Sequence, residues 1–138
     1  MQAMMATQYN APLTMQKRDL PAAASGEVVV RTATCGLNFG DTLLIKGTYQ
    51  EKPALPFVPG MELAGTITQV GEGVTDLHVG QRIAAYCGTG GLSEYVALRA
   101  EVCVPIPDEM PFVDAAAFLI TYGTSHLAIE AFAKLQAG

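Results

Sequence analysis

The side chains of this sequence best suited to bind soft metals or act as nucleophiles are three cysteines and two histidines. Cys35, Cys87 and Cys103 are widely spaced without a Cys-x-x-Cys pair, and neither His78 nor His126 lies close to a cysteine. Metal sites built from these residue types normally show short, paired spacings. The pattern predicts free, mostly packed thiols in a reducing compartment, and histidines without a catalytic role.

Two glycine-rich segments are candidates for binding a nucleotide phosphate. A dinucleotide fingerprint needs Gly-x-Gly-x-x-Gly between a strand and a helix, so that backbone N–H groups face the pyrophosphate. In the segment that starts at Gly71, Asp76 takes the place of the third glycine, and in the segment that starts at Gly88, Ser93 does. Each segment leads towards a predicted strand. Both are therefore predicted to be turns, and no phosphate-binding loop is expected.

The most specific pattern lies in the middle of the chain. The residues GMELAG at 60–65 are followed by five residues and Gly71, then by two residues and Val74. This spacing resembles the signature of medium-chain dehydrogenases and reductases, Gly-His-Glu-x-x-Gly-x5-Gly-x-x-Val, and the resemblance extends over essentially the whole chain. The segments GLNFGD at 36–41 and LPFVPG at 55–60 are similar to the zinc-independent quinone oxidoreductase branch.

The resemblance implies a mainly β fold. Its amino-terminal unit would be a GroES-like, partly open β-barrel with short helices. A carboxy-terminal helix would lead into a Rossmann domain that is absent from this chain.

The positions that match the catalytic zinc ligands of the superfamily hold other side chains. Alcohol dehydrogenases of this type use a thiolate two residues after the glycine that matches Gly36, and the imidazole of Gly-His-Glu. Here these positions are Asn38 and Met61, and zinc prefers nitrogen and sulfur donors. No four-cysteine lobe follows Cys87. We expect a zinc-free protein in which Glu62 is structural and Met61 is a packing residue near the cleft.

Without a Lewis acid, the implied chemistry is hydride transfer from a reduced nicotinamide to a quinone or an α,β-unsaturated carbonyl. In the resembling family, the loop matching Asn38, Asp41 and Tyr49 borders the cleft, and the threonine matching Thr124 contacts the cofactor. The resemblance thus implies Tyr49, Asn38 and Asp41 as catalytic residues. It implies Asn38, Thr121 and Thr124 as cofactor-binding residues, with NADPH as the family's usual cofactor. Tyr49 could donate a hydrogen bond to a carbonyl oxygen as negative charge develops there.

Each of these residues also has a structural role open to it. Asn38 and Asp41 lie beside glycines and could form a turn or cap a short helix. Tyr49 could anchor a loop, and Thr121 or Thr124 could cap a helix.

Most of the chain is predicted to form short strands separated by turns. Segments 28–34, 63–70, 82–86 and 94–98 combine β-branched or alternating apolar residues with flanking glycines, which is typical of strands in a barrel or sandwich. The three prolines of residues 51–59 predict an exposed, fairly stiff loop.

The last third of the chain is predicted to be helical. Pro111 favours the start of a short helix. A second helix is predicted from Thr121, as its N-cap, to Gly138, as its C-cap, because apolar residues recur between them at helical spacing. We therefore expect a GroES-like substrate domain at residues 1–120 and, at residues 121–138, a helix linking it to the missing nucleotide-binding domain.

Composition and charge narrow the class of protein. The chain has 138 residues, of which 50% are hydrophobic and 15% charged, enough for one domain with a core. Its net charge is −5 and it has no basic run, which argues against nucleic acid as a partner. The longest strongly apolar run, residues 115–120, is too short to span a bilayer. We expect a cytoplasmic protein that binds neither nucleic acid nor membrane.

Three functions are compatible with these patterns. The first is the substrate-side domain of an NADPH-dependent quinone or enone reductase, inactive as this chain alone, whose parent protein is a homodimer. The second is a free-standing GroES-like interaction module without catalysis, acting through the loop of residues 51–59. The third is an enoyl-thioester reductase of the same superfamily. If a partner domain is missing, we expect uncovered apolar surface on the last helix, with self-association or partial disorder after about Ile120.

Overall fold

The computed structural model describes residues 1–135, which form two antiparallel sheets and three short α-helices. The smaller sheet pairs β1 (Gln2–Met5) with β2 (Thr14–Lys17). The larger sheet has the order β6-β3-β4-β5-β7. Its strands are β3 (Glu27–Gly36), β4 (Glu62–Val70), β5 (Arg82–Tyr86), β6 (Tyr95–Arg99) and β7 (Cys103–Pro105). The helices are α1 (Phe39–Lys46), α2 (Phe112–Ala115) and α3 (Leu119–Leu127), with a 3₁₀ turn at Ala100–Val102 and a π-helical segment at Ala128–Ala133.

The four strands predicted from the sequence are all present, and together they make up most of the larger sheet. Two isolated bridges, Ala3 to Ser93 and Ala6 to Phe57, join β1 and the residue that follows it to distant parts of the chain. The sheets do not close into a complete barrel among the described residues. The predicted mainly β, partly open architecture is confirmed.

The larger sheet is covered differently on its two faces. On one face, Val28, Leu63 and Ile83 are completely buried in the main apolar cluster, where burial of such a side chain contributes about 1.5–3 kcal/mol. On the other face, Ala64 and Ala84 pack against Ala115 and Ala116 at the end of α2. These alanines let α2 lie close to the sheet, and α2 in turn positions the start of α3.

The start of α3 differs from the prediction. The sequence predicts Thr121 as the N-cap, but the helix begins at Leu119 after Phe118, so Thr121 is its third residue. The earlier start has a physical reason, because the Glu62 carboxylate accepts the backbone N–H of Ile120 at 3.1 Å and satisfies a first-turn donor from outside the helix. Regular α-helix ends at Leu127, and the predicted C-cap Gly138 lies outside the described residues.

The helix α3 and the residues that follow it are uncovered. All residues of the segment 121–135 are exposed, including the large apolar side chains Tyr122, Leu127, Ile129, Phe132 and Leu135. The expected apolar surface is therefore present on this helix. The predicted boundary between residues 120 and 121 falls inside α3 and stays a prediction.

The loop of residues 51–59 is exposed only in its first part. Residues 54–56 are exposed, but Phe57 is buried and exchanges two backbone hydrogen bonds with Ala6, at 2.8 and 3.1 Å. The prediction of an exposed loop is thus wrong for its last three residues, because apolar Phe57 and Pro59 pack into the protein.

Candidate functional site

The turn from β3 into α1 is held by a buried carboxylate. Asn38 is the N-cap residue of α1, and its backbone N–H donates to Asp41 Oδ2 at 2.9 Å, one half of a capping box. The other oxygen, Asp41 Oδ1, accepts the backbone N–H of Gly60 at 2.9 Å. Asp41 is only 3% exposed. Both carboxylate oxygens therefore serve the backbone, and they tie this turn to the segment that enters β4.

A second buried carboxylate holds the Asn38 side chain. Asn38 Nδ2 donates to Glu62 Oε1 at 3.0 Å, and Glu62 is 2% exposed at the start of β4. A buried carboxylate is tolerated when its oxygens are hydrogen-bonded. This bond fixes the orientation of the Asn38 amide. Asn38 also borders the space between α1 and α3.

That space is a cavity of about 510 Å³. One wall comes from the amino-terminal half of α1 and the residue before it, and the opposite wall comes from α3. Tyr49, Met61 and Tyr86 close it between the two helices. The helix residues that line it are Asn38, Phe39, Gly40 and Leu43 on one side, and Leu119, Ile120, Gly123, Thr124 and Leu127 on the other.

Three of the five predicted site residues line this cavity. Asn38, Tyr49 and Thr124 come from three separate segments and meet around it. Asp41 does not line it, because its side chain is directed to backbone N–H groups, and Thr121 does not line it either. Tyr49 is half-buried, and within the described part of the chain its hydroxyl makes no hydrogen bond.

Tyr86 is a cavity residue that sequence reasoning missed. It follows three buried residues at the end of β5 and lines both the main cavity and a neighbouring one of about 350 Å³, which also shares Tyr49 and Met61. Partial burial, with Tyr49 close by, raises the pKa of Tyr86 above that of a free phenol, so its hydroxyl stays protonated. Only the position of Tyr86 at a strand end beside a glycine-rich turn could have drawn attention to it.

Cys35 and Cys87 meet beside Gly60, away from the main cavity. Cys87 Sγ donates to the Gly60 carbonyl oxygen at 3.2 Å, and Cys35 Sγ lies so close that a Cβ added to Gly60 would approach it to 2.8 Å. Burial raises the pKa of both thiols to about 12. At neutral pH they are protonated, and therefore weak nucleophiles.

The walls of the main cavity are mostly apolar and, within residues 1–135, carry no positive charge. Among the described residues that line it there is no lysine, arginine or histidine, so nothing there would neutralise a pyrophosphate. Apolar side chains dominate, with the Asn38 amide and the hydroxyls of Tyr49, Tyr86 and Thr124 as polar groups. This composition suits a mostly apolar ligand that carries a few hydrogen-bonding groups.

Residues 1–135 contain neither a cluster of metal ligands nor a membrane-spanning helix. No group of three or more histidine, cysteine, aspartate or glutamate residues is arranged to hold a metal ion. No helix in this part of the chain has the length and apolar character needed to cross a membrane.

The antiparallel sheet, the capped turn at Asn38 and the cavity between α1 and α3 define a GroES-like domain of the kind found in medium-chain dehydrogenases and reductases. Residues 24–108 match the family profile described as "Alcohol dehydrogenase GroES-like domain", and the chain belongs to this family. The resemblance drawn from the GMELAG segment is confirmed.

The relatives include proteins named as quinone oxidoreductases, as quinone oxidoreductase-like proteins and as VAT-1 homologs. The chain is 39% identical over 138 residues to the quinone oxidoreductase-like protein 2 homolog of Nematostella vectensis, covering 99% of this chain and 38% of that protein. The structure of the human synaptic vesicle membrane protein VAT-1 homolog-like protein superposes with a TM-score of 0.95 at 29% identity, covering 99% of this chain and 45% of the other.

A quinone oxidoreductase from Thermus thermophilus, solved also as a complex with NADPH, superposes with a TM-score of 0.88 at 34% identity. The match covers 100% of this chain and 43% of that one. The chain thus spans less than half the length of these relatives.

Proposed function

We propose that this chain forms the substrate side of an NADPH-dependent oxidoreductase that reduces quinones or α,β-unsaturated carbonyl compounds by hydride transfer. The observation that carries the proposal is the cavity in which Asn38, Tyr49 and Thr124, from three separate segments, surround one apolar space. The quinone oxidoreductases among its relatives, one of them solved with NADPH, support it further.

Each polar group of the cavity has a distinct task in this proposal. Asn38 and Thr124 stand on opposite walls and would hold the nicotinamide end of NADPH, which supplies the hydride when bound. The Tyr49 hydroxyl, which has no partner in the described chain, would donate a hydrogen bond to the acceptor's carbonyl oxygen as negative charge develops. The apolar walls would exclude water and so strengthen that bond.

The other two predicted residues receive different tasks. Asp41 is assigned to holding the β3–α1 turn, because both its oxygens already bind backbone N–H groups. Thr121 is assigned to α3 itself, where its carbonyl oxygen accepts the Ser125 hydroxyl at 3.0 Å. The described residues that line the cavity are not assigned to binding the nucleotide phosphates, since they include no cation.

The two alternatives predicted from the sequence differ in support. An interaction module acting through the loop of residues 51–59 is less favoured, because Phe57 anchors the end of that loop to Ala6. Reduction of enoyl thioesters is also compatible with this cavity, because none of its described lining residues separates a thioester carbonyl from that of a quinone.

The test is steady-state kinetics on the complete gene product. NADPH oxidation is followed with 1,4-benzoquinone, with an α,β-unsaturated ketone and with an enoyl thioester as acceptors. We expect turnover with at least one of the first two. Tyr49→Phe should lower kcat/KM about 10- to 100-fold, because it removes one donor from the developing oxyanion.

Tyr95→Phe is the matched control. Tyr95 is half-buried on β6 and does not line the main cavity, so this change should leave the kinetics unaltered. Absence of NADPH-dependent turnover with all three acceptors, or equal kinetics for the two variants, would refute the proposal. Turnover with the thioester alone would assign the alternative reductase function.

A further inference from the structure

Glu62 is the side chain that connects the two walls of the cavity. Its Oε1 accepts Asn38 Nδ2 at 3.0 Å, and its Oε2 accepts the backbone N–H of Ile120 at 3.1 Å. Asn38 stands at the start of α1, and Ile120 is the second residue of α3. One buried carboxylate thus joins two helices that are far apart in the sequence.

The start of α3 depends on this carboxylate. The first N–H groups of any helix lack partners within the helix, and the N-cap residue Phe118 has no side-chain oxygen to offer. A carboxylate at this end is also favoured by the helix dipole. From Thr121 onward the described residues are exposed, so the position of α3 relative to the cavity is determined largely at Leu119 and Ile120.

The neighbouring strand leaves room for the carboxylate. A Cβ added to Gly36, at the end of β3, would lie 2.9 Å from Glu62 Oε1 and would also collide with the Ala116 carbonyl oxygen. Only glycine at this position lets the Glu62 side chain and the end of α2 lie together. The close packing of Gly36 therefore leaves the Glu62 side chain its place between Asn38 and Ile120.

We propose that Glu62 is a positioning residue, whose bridge between Asn38 and the Ile120 N–H sets the separation of the two cavity walls and thereby the affinity of the cavity for the molecule it binds. The bridge itself is independent of the proposed function, whereas its effect on NADPH binding rests on that function. Glu62 does not line the cavity, so it acts through Asn38 and α3.

The bridge is tested first without any activity assay, by amide hydrogen exchange measured by NMR on the 138-residue chain. In the wild type, the Ile120 N–H should be protected although it lies in the first helical turn. Glu62→Ala should speed its exchange about 10-fold or more, because a charged hydrogen bond is lost. Glu62→Gln, which retains one oxygen acceptor and a similar shape, should give an intermediate rate and keeps the test valid if the alanine variant does not fold.

Glu94→Gln is the matched control. Glu94 is exposed and also accepts a backbone N–H, that of Gln2 at 2.7 Å, but it lies away from α3. It should leave exchange at Ile120 unchanged. Unchanged exchange at Ile120 in folded Glu62→Gln and Glu62→Ala would overturn the bridge.

The effect on binding is measured on the complete gene product. Glu62→Gln should raise the KM for NADPH about 3- to 10-fold with kcat within about 2-fold, as expected for lost positioning of a binding group. If Glu62→Gln lowers the melting temperature but leaves the KM for NADPH unchanged, the role of Glu62 is purely structural and the positioning claim is overturned. If exchange responds as expected but no variant, including the wild type, oxidises NADPH, the bridge stands and the proposed function fails.

Discussion

Replacement of Asp41 by asparagine tests whether this buried carboxylate holds the site's framework. The carboxylate offers one oxygen to the Asn38 N–H and the other to the Gly60 N–H, both at 2.9 Å, and is 3% exposed. Asparagine offers only one oxygen, so one N–H would face an NH₂ group and lose its acceptor. A hydrogen bond to a charged group contributes about 1.5–3 kcal/mol, and an unsatisfied buried donor costs a similar amount.

We therefore expect Asp41→Asn to lower the free energy of unfolding by about 2–4 kcal/mol, a large share of the roughly 5–15 kcal/mol of a typical domain. Urea denaturation followed by circular dichroism measures this change. Asp19→Asn is the control, because Asp19 is exposed and should alter stability by less than about 0.5 kcal/mol. If both variants unfold at the same urea concentration with the same slope, Asp41 does not hold the turn as described.

Two further substitutions and the reactivity of two thiols test other parts of the structure. Arg82→Ala should cost about 2–4 kcal/mol of unfolding free energy in the same urea assay, because its guanidinium donates to three carbonyl oxygens before α2. Gly36→Ala should destabilise the chain by several kcal/mol, since the added Cβ would collide with the Ala116 carbonyl oxygen; an unchanged melting temperature would contradict that packing. Cys35 and Cys87 should react with iodoacetamide at pH 8 about 100-fold or more slowly in the native than in the denatured chain, because burial raises their pKa to about 12. Equal alkylation rates in both states would refute the burial of these thiols. The raised pKa values also predict that the free energy of unfolding is unaffected by pH below the ordinary thiol pKa of about 9. It should fall as pH rises from about 9 to 12, because the thiols of the unfolded chain ionise first.

The larger sheet could be predicted because its strands carry local signals. Val28, Val29 and Val30 are β-branched and buried, and residues 82–86 lie between glycine-rich turns, so pattern and structure agree. The strands β1 and β2 could not be predicted in this way, because β2 is exposed along its whole length and lacks an alternating pattern. They pair with each other, and β1 is also held by partners distant in the sequence, since the Met4 N–H donates to the Leu92 carbonyl oxygen at 2.9 Å.

The site was harder to predict because its geometry is tertiary. Asn38 carries two local signals at once, as a helix cap and as a family motif residue, and only the fold shows its bond to Glu62. Local signals misplace the start of α3 at Thr121, because the group that satisfies Ile120 lies 58 residues away in the sequence. Tyr86 belongs to no motif in the sequence. It reaches the cavity only because the end of β5 lies beside α1 and α3 in the fold.

A crystal structure of the complete gene product with NADPH tests the central claim most directly. The account predicts the nicotinamide ring in the cavity between α1 and α3, with its carboxamide within hydrogen-bonding distance of Asn38 or Thr124 and its reactive face open towards Tyr49. A nicotinamide bound elsewhere, with this cavity empty, would contradict the proposed function.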